Sequence, residues 1–258
     1  MPGCEFLCLS GLGMRSSVRA GLILIGCLAG MPASARADWV VAGFLGHAHT
    51  LPSTVTLTQP ARHTAIDILD VHYRGESLKS PQYYGIRMMW IPKARGWIGI
   101  EGEYIHAKVF SQTGETVRVR GTLDDVPVDT SLLMYSHVQR LAMSHGLNFI
   151  FANVVVRHAL GPADSQGMPR VTLVGRAGAG PTRPHVESTI ENANFDRYEN
   201  GGLGTQVGGS VEVSVWRGLG VVGDYKFTHA HPHVDVAGGE AEIPANSHHV
   251  VAGLRYQF

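Results

Sequence analysis

The chain has 258 residues, with 21 Lys and Arg against 21 Asp and Glu, a formal net charge of +0 and only 16% charged residues. Hydrophobic residues reach 44%, which excludes intrinsic disorder as the main state, and the neutral balance excludes a nucleic-acid binder built on a broad basic face. A mean hydropathy of +0.03 and the lack of any uninterrupted apolar run of about 20 residues exclude a helical multi-span membrane protein, while 32 glycines fit many short strands.

Residues 1–37 read as an export signal. Arg15 and Arg19 form its positive start, and residues 20–30 form an apolar stretch too short to span a bilayer. Ala35-Arg36-Ala37 supplies a small-x-small cleavage site before Asp38. Met14 offers a cleaner start, because residues 14–37 alone hold the full tripartite pattern. Leu24-Ile25-Gly26-Cys27 offers a competing lipoprotein-type cleavage; the later site is favoured because a strand pattern starts directly after it. Cys4, Cys8 and Cys27 all precede residue 38, so the expected mature chain has no thiol chemistry. It keeps 18 basic and 20 acidic residues, a net charge of −2. Residues 38–258 are expected to form one domain.

From residue 39 the apolar pattern has period two rather than a helical repeat. Eight segments have about the 9–11 residues that a tilted transmembrane strand needs: 39–49, 83–91, 97–110, 147–158, 171–180, 204–216, 219–229 and 248–258. Connections 92–96, 159–170 and 217–218 are short, whereas 50–82, 111–146, 181–203 and 230–247 are long. The pattern predicts an all-β fold, an eight-stranded antiparallel transmembrane β-barrel of outer-membrane type with short periplasmic turns and long extracellular loops. The alternating stretches 53–58 and 65–71 are expected to continue the sheet above the bilayer.

Alternation also sorts the faces. Ile86, Met88, Ile98, Ile100, Leu173, Val207, Val211, Val221, Tyr225, Val250 and Leu254 fall on lipid-facing positions. The opposite faces carry Arg87, Arg176, Lys226 and Arg255 together with Glu101, Glu103, Glu212 and Asp224, four cations against four anions. Charges leave water only when paired, so an ion-pair network is expected to plug the narrow interior and to disfavour a channel. Glu101 and Glu103 are read there as counter-ions rather than as a catalytic pair. Strands one and four leave the register open, because glycines and phenylalanines blur their faces. Trp39, Trp90, Trp97, Tyr104 and Trp216 are expected in interfacial girdles.

All 14 histidines follow residue 38, and many stand near strand ends on the long-loop side. His47, His49, His229, His231 and His249 are candidate metal ligands, with His233 and His248 nearby, because imidazole suits Zn, Cu, Fe and Ni. The competing reading makes them polar interfacial residues; no H-E-x-x-H motif is present. His145, His185 and Glu187 are candidate catalytic groups: His185, Glu187 and Ser188 lie within four residues, and strand spacing places His185 and Glu187 on one face.

The chain closes in Tyr256-Gln257-Phe258, which resembles the terminal aromatic signature of bacterial outer-membrane proteins. That resemblance implies an outer-membrane location and engagement of the barrel-assembly machinery through Phe258. Further strings are similar to those of barrel proteins described as lipid A oxidases: Ser80-Pro81-Gln82-Tyr83-Tyr84-Gly85, Glu103-Tyr104-Ile105-His106-Ala107-Lys108-Val109, Met143-Ser144-His145-Gly146-Leu147-Asn148, residues 178–185, Tyr225-Lys226-Phe227-Thr228 and residues 234–239. That resemblance implies action on, or binding of, lipid A and lipopolysaccharide in the outer leaflet. The chemistry it implies is oxidation of the proximal glucosamine with oxygen and a divalent cation. It brings no catalytic residue with it. The alternative is a non-enzymatic surface barrel for adhesion or envelope integrity. A monomer is expected.

Overall fold

The computed structural model describes residues 39–92, 96–163 and 168–258. The expected leader at 1–37, with its alternatives at Met14 and Cys27, lies outside the described residues. The strands run as β1 (Trp39–Thr50), β2 (Ser53–Gln59), β3 (Thr64–Val71), β4 (Tyr73–Arg74), β5 (Tyr84–Trp90), β6 (Ile98–His106) and β7 (Val109–Ser111). They continue as β8 (Thr116–Leu123), β9 (Val126–Leu133), β10 (Val138–Met143), β11 (Phe149–Ala163), β12 (Pro169–Pro181) and β13 (His185–Ile190). The last are β14 (Ala193–Tyr198), β15 (Leu203–Trp216), β16 (Leu219–Ala230), β17 (His233–Val236), β18 (Gly239–Glu242) and β19 (Ala245–Gln257). Among the described residues there is no α-helix.

Eight strands close into an antiparallel barrel in the order β1-β19-β16-β15-β12-β11-β6-β5. The two ends of the chain seal it, with Val41 opposite Tyr256 and Ala42 opposite Arg87 on the other flank. Closure leaves no unpaired strand edge in hydrocarbon, which is what allows a sheet to cross a bilayer. Ile86, Met88, Ile100, Ile150, Val154, Leu173, Val207, Val211, Val250 and Leu254 stand exposed on the outer wall. All four tryptophans mark the short-turn end: Trp39 opens β1, opposite Trp90 at the end of β5, Trp97 precedes β6, and Trp216 closes β15. Tyr84 and Tyr104 stand at the other end of β5 and β6. The strands whose register was open resolve with Phe44 and Phe151 buried inward and Leu45 and Ile150 exposed.

Three expectations need correction. Residues 159–170 are no simple short turn: β11 runs on to Ala163 and β12 starts at Pro169, so the hairpin projects past the short-turn end with a register shift between Leu160 and Ala163. The third barrel strand ends at His106, and Phe110 belongs to β7, which pairs outside the barrel. Residues 53–58 and 65–71 pair with each other as β2 and β3, but they do not prolong the barrel wall.

The four long connections instead build two further sheets. One has the order β14-β13-β10-β7-β4 and the other β17-β18-β2-β3-β8-β9. Each is amphipathic, so it must bury one face against something. Val55, Leu57, Ile66, Ile68, Val117 and Val119 of the six-stranded sheet join Leu141, Met143, Val186 and Ile190 of the five-stranded sheet in one core. That core is continuous with Phe44, Tyr83, Ile105, Phe149 and Phe151 at the top of the barrel. Each such side chain contributes about 1.5–3 kcal/mol on full burial. The sheets are therefore held as a folded cap, and the other face of the five-stranded sheet is left to carry polar groups.

Candidate functional site

Three places gather chemistry: the lumen, the histidines near the upper rim, and the polar face of the five-stranded sheet. In the lumen, Arg87, Glu101, Glu103, Arg176, Glu212, Asp224, Lys226 and Arg255 are all buried. Arg176 meets Glu101 and Asp224, each at 3.0 Å. Lys226 pairs with Glu103 and, at 3.4 Å, with Asp224. Arg87 pairs with Asp224 and, at 3.5 Å, with Glu103. Arg255 meets Glu212 at 3.3 Å, and Arg157, which the sequence reading did not include, approaches the same carboxylate at 3.9 Å. Asn153 and Gln206 donate further hydrogen bonds to Glu103, and Arg87 and Lys226 lie over the Phe44 ring at 4.6 and 4.5 Å. Every carboxylate here is spoken for by a cation, which is the arrangement of a structural plug.

The five candidate metal ligands do not converge. His47, His49 and His229 are exposed on the outer wall, whereas His249 is buried inside, between Tyr83 Oη at 3.1 Å and Thr228 Oγ1 at 2.9 Å. His229 contacts Asn246 at 2.6 Å, and His231 lies 3.4 Å from Glu242 in the cap. Strand alternation separates them: neighbours in sequence such as His248 and His249 point to opposite faces. Among the described residues no group of three His, Cys, Asp or Glu side chains suits a metal ion. The donor set therefore does not fit the divalent cation that the oxidase resemblance implies, and no step is routed through one.

His145, His185 and Glu187 come together, whereas Ser188 of the sequence triplet lies on the opposite, buried face, its Oγ accepting from Ala237 N at 2.9 Å. Glu187 lies opposite Ala142 on β10 and Asp196 on β14, and Ala142 lies opposite Phe110 on β7. Cross-strand partners share a face, as do residues two apart, so His185, Glu187, Asp196 and Tyr198 stand on the side of the sheet away from the apolar core. β10 ends at Met143, and Ser144 and His145 start a tight turn. Gly146 in that turn has φ +93, and a Cβ there would stand 2.5 Å from His106 Nδ1. Asn148 holds the turn in place. Its Nδ2 donates to the carbonyls of His145, Gly146 and Arg183 at 3.1, 3.2 and 3.0 Å. Its Oδ1 accepts from Tyr104 Oη at 2.9 Å, and His106 Nδ1 lies 2.9 Å from the same atom. The turn is thus anchored to the upper end of the lipid-facing wall.

Ser144 is the centre of the cluster. Its Oγ lies 3.2 Å from His145 Nδ1 and 3.4 Å from His185 Nδ1. The other nitrogen of His185, Nε2, lies 3.1 Å from Asp196 Oδ1. Tyr198 packs edge-on against the His185 ring at 4.5 Å, and His145 does the same at 4.5 Å. Glu187 is held by Arg140 at 2.7 Å and accepts from Ser144. Burial pushes the Glu187 carboxyl up, but the bonds from Arg140 and Ser144 outweigh it, and its pKa falls below the ordinary carboxylate value. A hydroxyl against an imidazole, itself oriented by a carboxylate, is the arrangement that activates serine for attack on an acyl carbon. Of the residues that meet here, His145, His185 and Glu187 were legible as candidates in the sequence, whereas Ser144, Asp196 and Asn148 were not among them. Only Asp196 had a readable signal, its strand parity with Tyr198.

The closed eight-stranded barrel, its apolar outer band, tryptophan girdle and charged lumen define the class: the chain is an outer-membrane β-barrel protein. No protein-family profile and no curated protein matches it. Among solved structures it is similar to NspA, a Neisserial surface protein, at 11% identity and a TM-score of 0.43, covering 86% of this chain and 98% of that one. It is similar to the outer-membrane protease OmpT of Escherichia coli at 8% identity and TM-score 0.44, with 89% and 99% covered. The attachment invasion locus protein Ail of Yersinia pestis gives 10% identity and TM-score 0.34, with 85% and 99% covered. Likeness at this level says nothing of ligand or reaction.

Proposed function

We propose that this barrel acts on an ester-linked lipid of the outer leaflet, lipid A being the substrate its family resemblance implies, and that it does so by acyl transfer to water rather than by oxidation. The observation that carries the reading is the Ser144–His185–Asp196 relay, placed on an outward face anchored to Tyr104 at the top of the lipid-facing wall. The Ser144 hydroxyl turns its single proton from Glu187 to His185 Nδ1, which takes it as Oγ bonds to the ester carbonyl carbon. Asp196 accepts from Nε2–H and stabilises the imidazolium. Collapse of the tetrahedral adduct breaks the carbon–alkoxide bond, and the departing alkoxide takes the proton back. Water, deprotonated by the same imidazole, then releases the fatty acid and restores Ser144. Nothing is oxidised or reduced.

Mass spectrometry of lipid A from cells with the gene, without it, and with Ser144→Ala tests this. The expected result is a species lighter by one fatty acyl group that appears only with the unsubstituted gene. An unchanged lipid A profile in all three strains would overturn the enzyme reading. It would favour the alternative of a non-enzymatic surface barrel, which the folded two-sheet cap also supports.

A further inference from the structure

We propose that the cations around Phe110 form an anion subsite, which binds a phosphate group on the same acylated lipid that Ser144 attacks. The inference rests on the reading above and names the substrate class it implies, a phosphorylated, ester-linked glycolipid.

Phe110 sits on β7, nearly buried, and three cations surround its ring. Arg74 Cζ lies 5.9 Å from the centroid, Lys108 Nζ 5.7 Å and Arg140 Cζ 5.7 Å. Lys79 joins them through its carbonyl, which accepts from Lys108 Nζ at 3.0 Å. Two carboxylates answer these four cations. Glu76 takes Lys79 at 3.0 Å and Arg74 at 3.4 Å, and Glu187 takes Arg140. Lys108 has no carboxylate within 4.0 Å among the described residues, although it is buried. Burial holds its ammonium below the usual lysine range. The patch is thus positive by two charges, and like charges gathered at a half-dry surface are unfavourable until an anion joins them. A phosphate group supplies that charge, and its oxygens match the planar fork of Arg74 and the ammonium of Lys108, while Arg140 keeps its fork on Glu187.

Position links this patch to the relay. Arg74 lies opposite Phe110, Phe110 opposite Ala142, and Ala142 opposite Glu187. Ser144 and Lys108 each stand two residues along from one of these partners. Ser144 lies just past the end of β10 and Lys108 just before β7, so the two sit at the ends of neighbouring strands that are spaced by about 4.8 Å. A phosphate and an ester on one headgroup span such a separation.

The test titrates full-length Ser144→Ala protein in uncharged detergent micelles with lipid A, with dephosphorylated lipid A, and with inorganic phosphate. Folding is checked by heat-modifiable mobility. Lipid A is expected to bind about tenfold or more tighter than its dephosphorylated form, the range of one or two charge-assisted hydrogen bonds. Adding Arg74→Ala with Lys108→Ala erases that difference, Lys108→Arg keeps it, and Arg118→Ala, distant on β8, leaves it unchanged. Equal binding of the two lipids, or inorganic phosphate binding as tightly as lipid A, would overturn the subsite. Phosphate discrimination without ester cleavage by unsubstituted protein would sink the hydrolase reading alone. Cleavage without discrimination would sink the subsite alone.

Discussion

The lumen and the outer face of the five-stranded sheet are both built from ionic side chains on alternating strands, yet they do opposite things with them. Inside the barrel, Asp224 serves Arg87, Arg176 and Lys226 together, and all four are buried. Each charge there is locked to others, and the result is a plug. On the sheet, Asp196 is largely exposed, Ser144 is nearly buried, and His185 lies between them with one nitrogen toward each. A buried network whose charges are paired with one another specifies a fold, whereas a graded one leaves room for a proton to move.

The largest test of the contrast removes Asp224. Asp224→Ala strips one anion from three buried cations, and breaking a buried pair from one side costs about 3–5 kcal/mol. The urea midpoint of the barrel in vesicles is expected to fall steeply; an unmoved midpoint would mean that the lumen charges are hydrated rather than locked. Ser144→Ala should leave that midpoint in place and lower ester cleavage by about 10³-fold or more, as loss of a serine nucleophile does elsewhere. If both variants lost the folded barrel, the division between plug and site would fail.

Gly146→Ala sharpens the comparison further. At φ +93, with His106 in the way, an alanine there is expected to cost about 1–3 kcal/mol of local strain. Cleavage should fall because the turn carrying Ser144 shifts, while heat-modifiable mobility of the barrel stays normal.

A smaller effect lies at the cap's edge. Hydrogen bonds from His233 to Glu240 and then to Glu242 raise its pKa above the ordinary 6.5. A raised folded value means that the contact contributes fully below pH 6.5, where the free imidazole is also protonated, and is lost as pH rises through the folded value. Amide exchange in the β17–β18 hairpin should therefore quicken on that rise beyond its intrinsic pH dependence, and His233→Gln should remove the excess. Smallest of all, Arg118→Ala breaks an exposed bidentate pair with Asp129 and should leave the midpoint of the same urea series essentially unmoved.

How much of this was legible beforehand follows from what alternation can report. Period-two patterning placed all eight barrel strands and set Arg87, Glu101, Lys226 and Arg255 opposite to Ile86, Ile100, Tyr225 and Leu254, because in a sheet local sequence alone fixes the face of each side chain. The same rule set His249 with Arg255 on the inner face, away from His47 and His49, which rules out a shared metal site. The long connections read as loops, since their strands pair with partners distant in sequence, such as Thr56 with Glu242 and Arg74 with Phe110.

Strand, face and enclosure in a membrane were written in local order. The meeting of Ser144, His185 and Asp196 was not, because it depends on β10, β13 and β14 docking as a cap over one shared core. Only long-range packing determines that docking, and residues 41 positions apart, as Ser144 and His185 are, carry no local trace of it.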